Sequence, residues 1–136
     1  MYRTIFLLSF FLFTEVVAFS QSAVGRDKEQ DVFVPISKYI QKGDAESLSV
    51  WFASNLEMDI LGVNNVCSRQ QAKQILKDFF STYSPKNFNI SYRSGKAPMK
   101  YAVGILNAGG SIFRITLTVK TQQEGNFIHQ LRIEKE

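Results

Sequence analysis

The clearest signal in the chain is a change of period. From Asn87 onward, apolar and polar residues alternate almost without break. In "SIFRITLTVK", Phe113, Ile115, Leu117 and Val119 fall on one side and Arg114, Thr116, Thr118 and Lys120 on the other, the mark of a half-buried strand. "NFNISYRS" groups Phe88, Ile90 and Tyr92, and "KYAVGIL" groups Tyr101, Val103 and Ile105. In "NFIHQLRIE", the same count places His129 in one row with Phe127, Leu131 and Ile133. "NAGG" (Asn107 to Gly110) and "QQEG" (Gln122 to Gly125) supply the turn residues that hairpins need. The second half is therefore expected to be an antiparallel meander with one apolar face and one mixed polar face.

The first half reads as helices. In "VFVPISKYIQKGD", Val32, Ile36, Tyr39 and Ile40 have helical spacing, Pro35 suits a first turn with Asp31 or a neighbour helping the N-terminus, and Gly43 suits the stop. Asp44 is a natural N-cap for a second helix through "DAESLSVWFAS", with Leu48, Trp51 and Phe52 on its buried side. "NLEMDILGV" (Asn55 to Val63) returns to period two. Leu56, Met58 and Ile60 oppose Glu57, Asp59 and Leu61, and the charge on that second face predicts an edge strand. "SRQQAKQILKDFFSTY" (Ser68 to Tyr83) is the strongest helix. Ser68 and Gln71 have capping-box spacing, and Ala72, Ile75, Leu76, Phe79, Phe80 and Tyr83 form its apolar stripe. Helices grouped ahead of a hairpin-linked sheet give an α+β domain over residues 32–136.

The first 31 residues stand apart. Arg3 followed by "TIFLLSFFLF" and then "AFS" before Gln21 has the order of a signal peptide over residues 1–20. The apolar run is short for a membrane span, and Glu15 would lie in hydrocarbon. No stable span is expected after cleavage, and residues 21–31 are expected to be a flexible lead-in. The expected location is therefore exported, periplasmic or secreted.

Charge and cysteine count narrow the function. The net charge of +4 is spread over single basic residues, which excludes a nucleic-acid arm. Cys67 is the one cysteine, so there is no internal disulfide, and a partly buried inert thiol is expected. One histidine, one cysteine and scattered acids offer no metal-ligand spacing, and no glycine loop precedes a helix as phosphate binding requires. No cofactor is expected.

The helix, Gly-Asp turn, helix and strand of "YIQKGDAESLSVWFASNLEMDIL" resemble the opening of the nuclear-transport-factor-two-like superfamily, which includes SnoaL-like and ketosteroid-isomerase-like proteins. "VGILNAGGSIFRITLTVK" followed by "FIHQLRIE" is similar to a family of small exported bacterial proteins known only as a domain of unknown function. The resemblance implies a curved antiparallel or mixed sheet wrapped around about three helices in a cone, with pocket chemistry inside and a sheet that often dimerises. It makes His129, Tyr39 and Asp59 the polar candidates for a pocket, with Trp51 and Tyr101 as further wall residues. Arg114, Thr116, Thr118 and Arg132 are the candidates for an interface on the polar face, where opposite charges can pair across strands.

Asp59 alternates away from the apolar row, which favours a solvated carboxylate over a buried base. The leading expectation is a non-enzymatic exported domain that binds a small apolar ligand or an envelope protein. The alternatives are an isomerase or hydrolase using His129, Asp59 and Tyr39 in one pocket, and a homodimerisation or adaptor module using the polar sheet face.

Overall fold

The computed structural model describes residues 31–136. The expected signal peptide and nearly all of the lead-in lie outside the described residues. Val32–Glu136 forms one compact unit of three helices and six strands, an α+β fold. In chain order it runs α1 (Phe33–Lys42), α2 (Ala45–Ser49), β1 (Phe52–Ile60), β2 (Val63–Ser68), α3 (Arg69–Thr82), β3 (Pro85–Lys96), β4 (Met99–Ala108), β5 (Ser111–Gln122) and β6 (Gly125–Lys135). The strands form one open sheet in the order β2-β1-β6-β5-β4-β3. All neighbours are antiparallel except β1 and β6, which run parallel.

The helix ends follow the sequence signals. α1 stops at Gly43, which takes the left-handed conformation at φ 68° and donates its N–H to Ile40 O at 3.0 Å. Asp44 caps α2: its Oδ1 accepts the Ser47 N–H at 3.0 Å and its Oδ2 the Ser47 hydroxyl at 2.7 Å. These bonds from Ser47 hold the Asp44 carboxyl below its ordinary pKa. Ser68 and Gln71 close the expected capping box at the start of α3, with reciprocal bonds of 3.2 and 2.9 Å. Val32 occupies the N-cap of α1 and makes no side-chain cap bond.

Four expectations about the strands need correction. First, α2 ends at Ser49, well short of Phe52. Trp51 O accepts the Ile128 N–H at 2.7 Å, which pulls the backbone into the sheet, and Phe52 already belongs to β1. Second, β1 is not an edge. "LG" (Leu61, Gly62) is a two-residue turn with φ of 52° and 89°, and it folds Val63–Ser68 back as β2 beside β1. Third, Phe88 and Ile90 share a face but Tyr92 leaves it. The register shifts between Ile90 and Tyr92, and Tyr92 is 59% exposed. Fourth, a shift between Thr118 and Val119 makes His129 the extra residue of β6. Ile128 pairs with Val119 and is fully buried, while Phe127 pairs with Lys120 on the other face. The inner row of β6 is therefore Ile128, Leu131 and Ile133.

The helices cover one face of the sheet. Phe113, Ile115, Leu117 and Val119 on β5 are all buried there, as expected, against Ile36, Ile40, Leu48, Leu76, Phe79 and Phe80. Phe79 and Tyr83 meet Phe113 edge-on, at centroid distances of 5.2 and 4.9 Å. On β4 the inward row is Ala102, Gly104 and Leu106, so Tyr101, Val103 and Ile105 face outward. Gly104 is required by packing. A Cβ there would collide with the Phe88 ring and lie 2.9 Å from Asn89 O.

Candidate functional site

The alternation fixed by the core sorts the candidate residues into two groups. Tyr39 on α1 and Trp51 after α2 pack against the helix-side core. Asp59 follows the buried Met58 and so lies on the outer sheet face, opposite Arg132 of β6. Its Oδ2 is 3.7 Å from Arg132 Nε. Tyr101 is also on the outer face, directly opposite Thr118, and is 39% exposed. Asp59 and Tyr39 therefore lie on opposite sides of the sheet.

His129 sits at the seam. On its β5 side the ladder shifts between Thr118 and Val119, and on its β1 side between Phe52 and Glu57. Its Nε2 is shut off from water and has no hydrogen-bond partner among the described residues. Burial pulls the imidazole pKa down, and the Lys120 charge adds to the effect. The ring is accordingly neutral near pH 7.

The interface candidates form a paired lattice on the outer face. Arg114 lies opposite Glu134 at 3.6 Å and also reaches Glu136 at 2.6 Å. Arg132 holds Glu134 at 3.4 Å besides Asp59. Thr116 pairs with Arg132 across the strands. Thr118 is buried at 8% exposure and donates its hydroxyl to Gln130 Oε1 at 3.2 Å. Gln130 in turn donates to Glu57 Oε1 at 3.5 Å. No sequence pattern brings Glu57 to Gln130, because the parallel pairing of β1 with β6 leaves no local trace.

A surface depression of about 390 Å³ lies where β1 bows away from β6, lined by Ala53, Ser54, Arg69, Gln122, Glu124 and Phe127. None of the five pocket candidates lines it. Arg69 is steadied by donating from Nε to Phe52 O at 3.0 Å. Cys67 is buried on β2, and burial pushes its thiol pKa up, which makes it a poor nucleophile. Among the described residues no three His, Cys, Asp or Glu side chains gather as metal ligands would. No helix among them is long and apolar enough to cross a membrane.

Solved structures share this architecture. A DUF4783 family protein from Bacteroides fragilis superposes with a TM-score of 0.73 at 26% identity, covering 78% of this chain and 100% of that one. An NTF-2 like protein of unknown function from Silicibacter pomeroyi gives 0.59 at 15% identity, covering 88% and 100%. A domain of unknown function with a cystatin-like fold from Nostoc punctiforme gives 0.62 at 10% identity, covering 88% and 80%. No curated protein matches the chain. The fold is thus that of the nuclear-transport-factor-two-like and cystatin-like proteins, as the resemblance implied. The family model for a domain of unknown function, DUF4783, matches residues 33–134, nearly the whole compact unit, and the chain belongs to that family.

Proposed function

We propose that the protein is exported through its N-terminal segment and acts without catalysis, by holding a protein partner of the cell envelope on the outer face of its sheet. The observation that carries this reading is the composition of that face. Tyr92 and Tyr101 are exposed beside the half-buried Val103 and Ile105, and Arg114 and Arg132 flank them. Tyrosine and arginine are the residues that dominate binding energy at interfaces. The charges are also paired within the chain. A partner would desolvate neutral pairs rather than lone ions, which lowers the cost of covering the face.

A small apolar ligand inside the cone has less support, because the chain's own side chains occupy the space between helices and sheet. The export half of the reading rests on the leader-like order of Arg3, the apolar run and "AFS".

The test is a photo-crosslinking residue placed at Tyr101 in the full chain, expressed in a bacterial cell, with a second version at Val34 on the exposed side of α1. The reading expects an envelope-protein adduct from position 101, none from 34, and its loss on Arg132→Glu. Identical adducts from both positions would reject the binding face. Retention of the chain in the cytoplasm would reject export.

A further inference from the structure

The open sheet has two edges, and they are protected unequally. The β3 edge begins with Pro85, carries Lys86 and Lys96, and shifts register twice. α1 lies against it, and the Gln41 Oε1 accepts the outward Phe88 N–H at 3.2 Å. Proline, lysine, bulges and a covering helix are the devices that stop a strand edge from pairing with another chain. β2, "VNNVCS", has no lysine, proline or register shift, and its first four residues are exposed. It carries no charge and no proline, and its Val63 and Val66 are 62% and 77% exposed.

The groups that this edge offers follow from the turn. A two-residue hairpin makes Ile60 and Val63 a hydrogen-bonded pair, so the pairs Met58–Asn65 and Leu56–Cys67 are bonded likewise. The N–H and C=O of Asn64 and Val66 then point away from β1. Ser68 has the same parity, and its N–H does turn away from β1, to Gln71 Oε1. The edge is thus a short row of two residues with four outward groups.

We infer that a second copy of this chain pairs with this edge, β2 against β2, antiparallel about a two-fold axis at Asn65. In that register Asn64 lies opposite Val66 of the second copy, and Val66 opposite its Asn64. All four outward groups are satisfied. The two Asn65 side chains meet on the axis, where amides can bond each other. β2 has no charge that would repel its copy. Among the described residues each chain has one unguarded edge, so the pairing closes at two copies instead of growing into a fibre. This surface is separate from the outer face proposed above, and the two can fail independently.

The test uses cysteine cross-linking and sedimentation. Asn65 faces its own copy in a pair that is not hydrogen-bonded, with Cα atoms about 4.5 Å apart, within disulfide reach. Mild oxidation of Asn65→Cys should give a covalent dimer that peptide mapping assigns to position 65, since Cys67 is buried. Asn64→Cys, facing the outer side next to Val66, should link roughly tenfold more slowly or not at all. Val66→Lys should weaken the dimer roughly tenfold or more, and Tyr101→Ala should leave it unchanged. A monomeric wild-type chain at about 1 mM would overturn the inference. So would equal cross-linking at 64 and 65, or a dimer lost on Tyr101→Ala and kept on Val66→Lys.

Discussion

The two faces of the sheet are built on different rules. On the helix side, β5 offers Phe113, Ile115, Leu117 and Val119 in one unbroken row, each almost wholly buried. On the outer side the same strand offers Arg114, Thr116 and Thr118, each answered by a particular neighbour: Glu134, Arg132 and Gln130. The first face gains from the sum of apolar area, which is non-directional. The second depends on pairings that are individually weak and mutually placed. The difference assigns stability to one face and leaves the other free to carry recognition.

That division can be broken in order of size. Leu117→Ala, in the fully buried row, should cost about 2–5 kcal/mol in urea unfolding. Gly104→Ala should cost about 1–3 kcal/mol by the same measurement. Its new methyl group meets the Phe88 ring, which is itself buried and has nowhere to retreat. A loss below about 0.5 kcal/mol, the ordinary effect of a surface change, would mean that the inner face is loosely packed.

His129 tests the seam between the faces. Its pKa is lowered in the folded state, so the native protein favours the neutral ring. As pH falls below the ordinary histidine value of about 6.5, the unfolded chain takes up the proton first. Stability is complete above that value and declines as pH falls towards the depressed folded value. His129→Leu should remove this part of the pH slope, while the carboxylate contribution at lower pH stays common to both proteins. Unfolding midpoints at a series of pH values read the difference directly. A parallel decline in both proteins over that window would show an exposed ring.

The smallest effect belongs to the outer face. A double-mutant cycle on Asp59 and Arg132 should give a coupling of about 0.2–1 kcal/mol, reduced by salt, since both side chains keep water contact. A coupling above about 3 kcal/mol would make this face part of the structural core.

Much of this was legible in the sequence because one physical signal was strong. The capping box at Ser68, the Gly43–Asp44 turn and the β5 alternation each carry a local cause, and each formed as expected. β2 was missed for the opposite reason. "VNNVCS" is exposed on both faces over its first four residues, so burial imposes no alternation on it. The Leu61–Gly62 turn was also hidden, because leucine is an unusual residue at positive φ. His129 was placed in the inner row because a period of two cannot register one extra residue. The adjacent apolar pair Phe127–Ile128 was the available clue, since a regular half-buried strand rarely needs both. The candidate site was less legible still. The contact of Gln130 with Glu57 joins residues that are far apart in the chain, and no local pattern encodes it.

The parallel seam between β1 and β6 has a consequence in time. Phe52 finds its partner only at Ile128, so the sheet cannot join its two halves until nearly the whole unit has been synthesised. Until then the hairpin of β1 and β2 has no neighbour on its inner side, and β5 is itself an open edge. Late, non-local closure of this kind makes for slow folding and leaves strand edges unpaired until the last strand arrives. A ribosome stopped after Gln122 would leave two fragments of sheet with the strand between them absent.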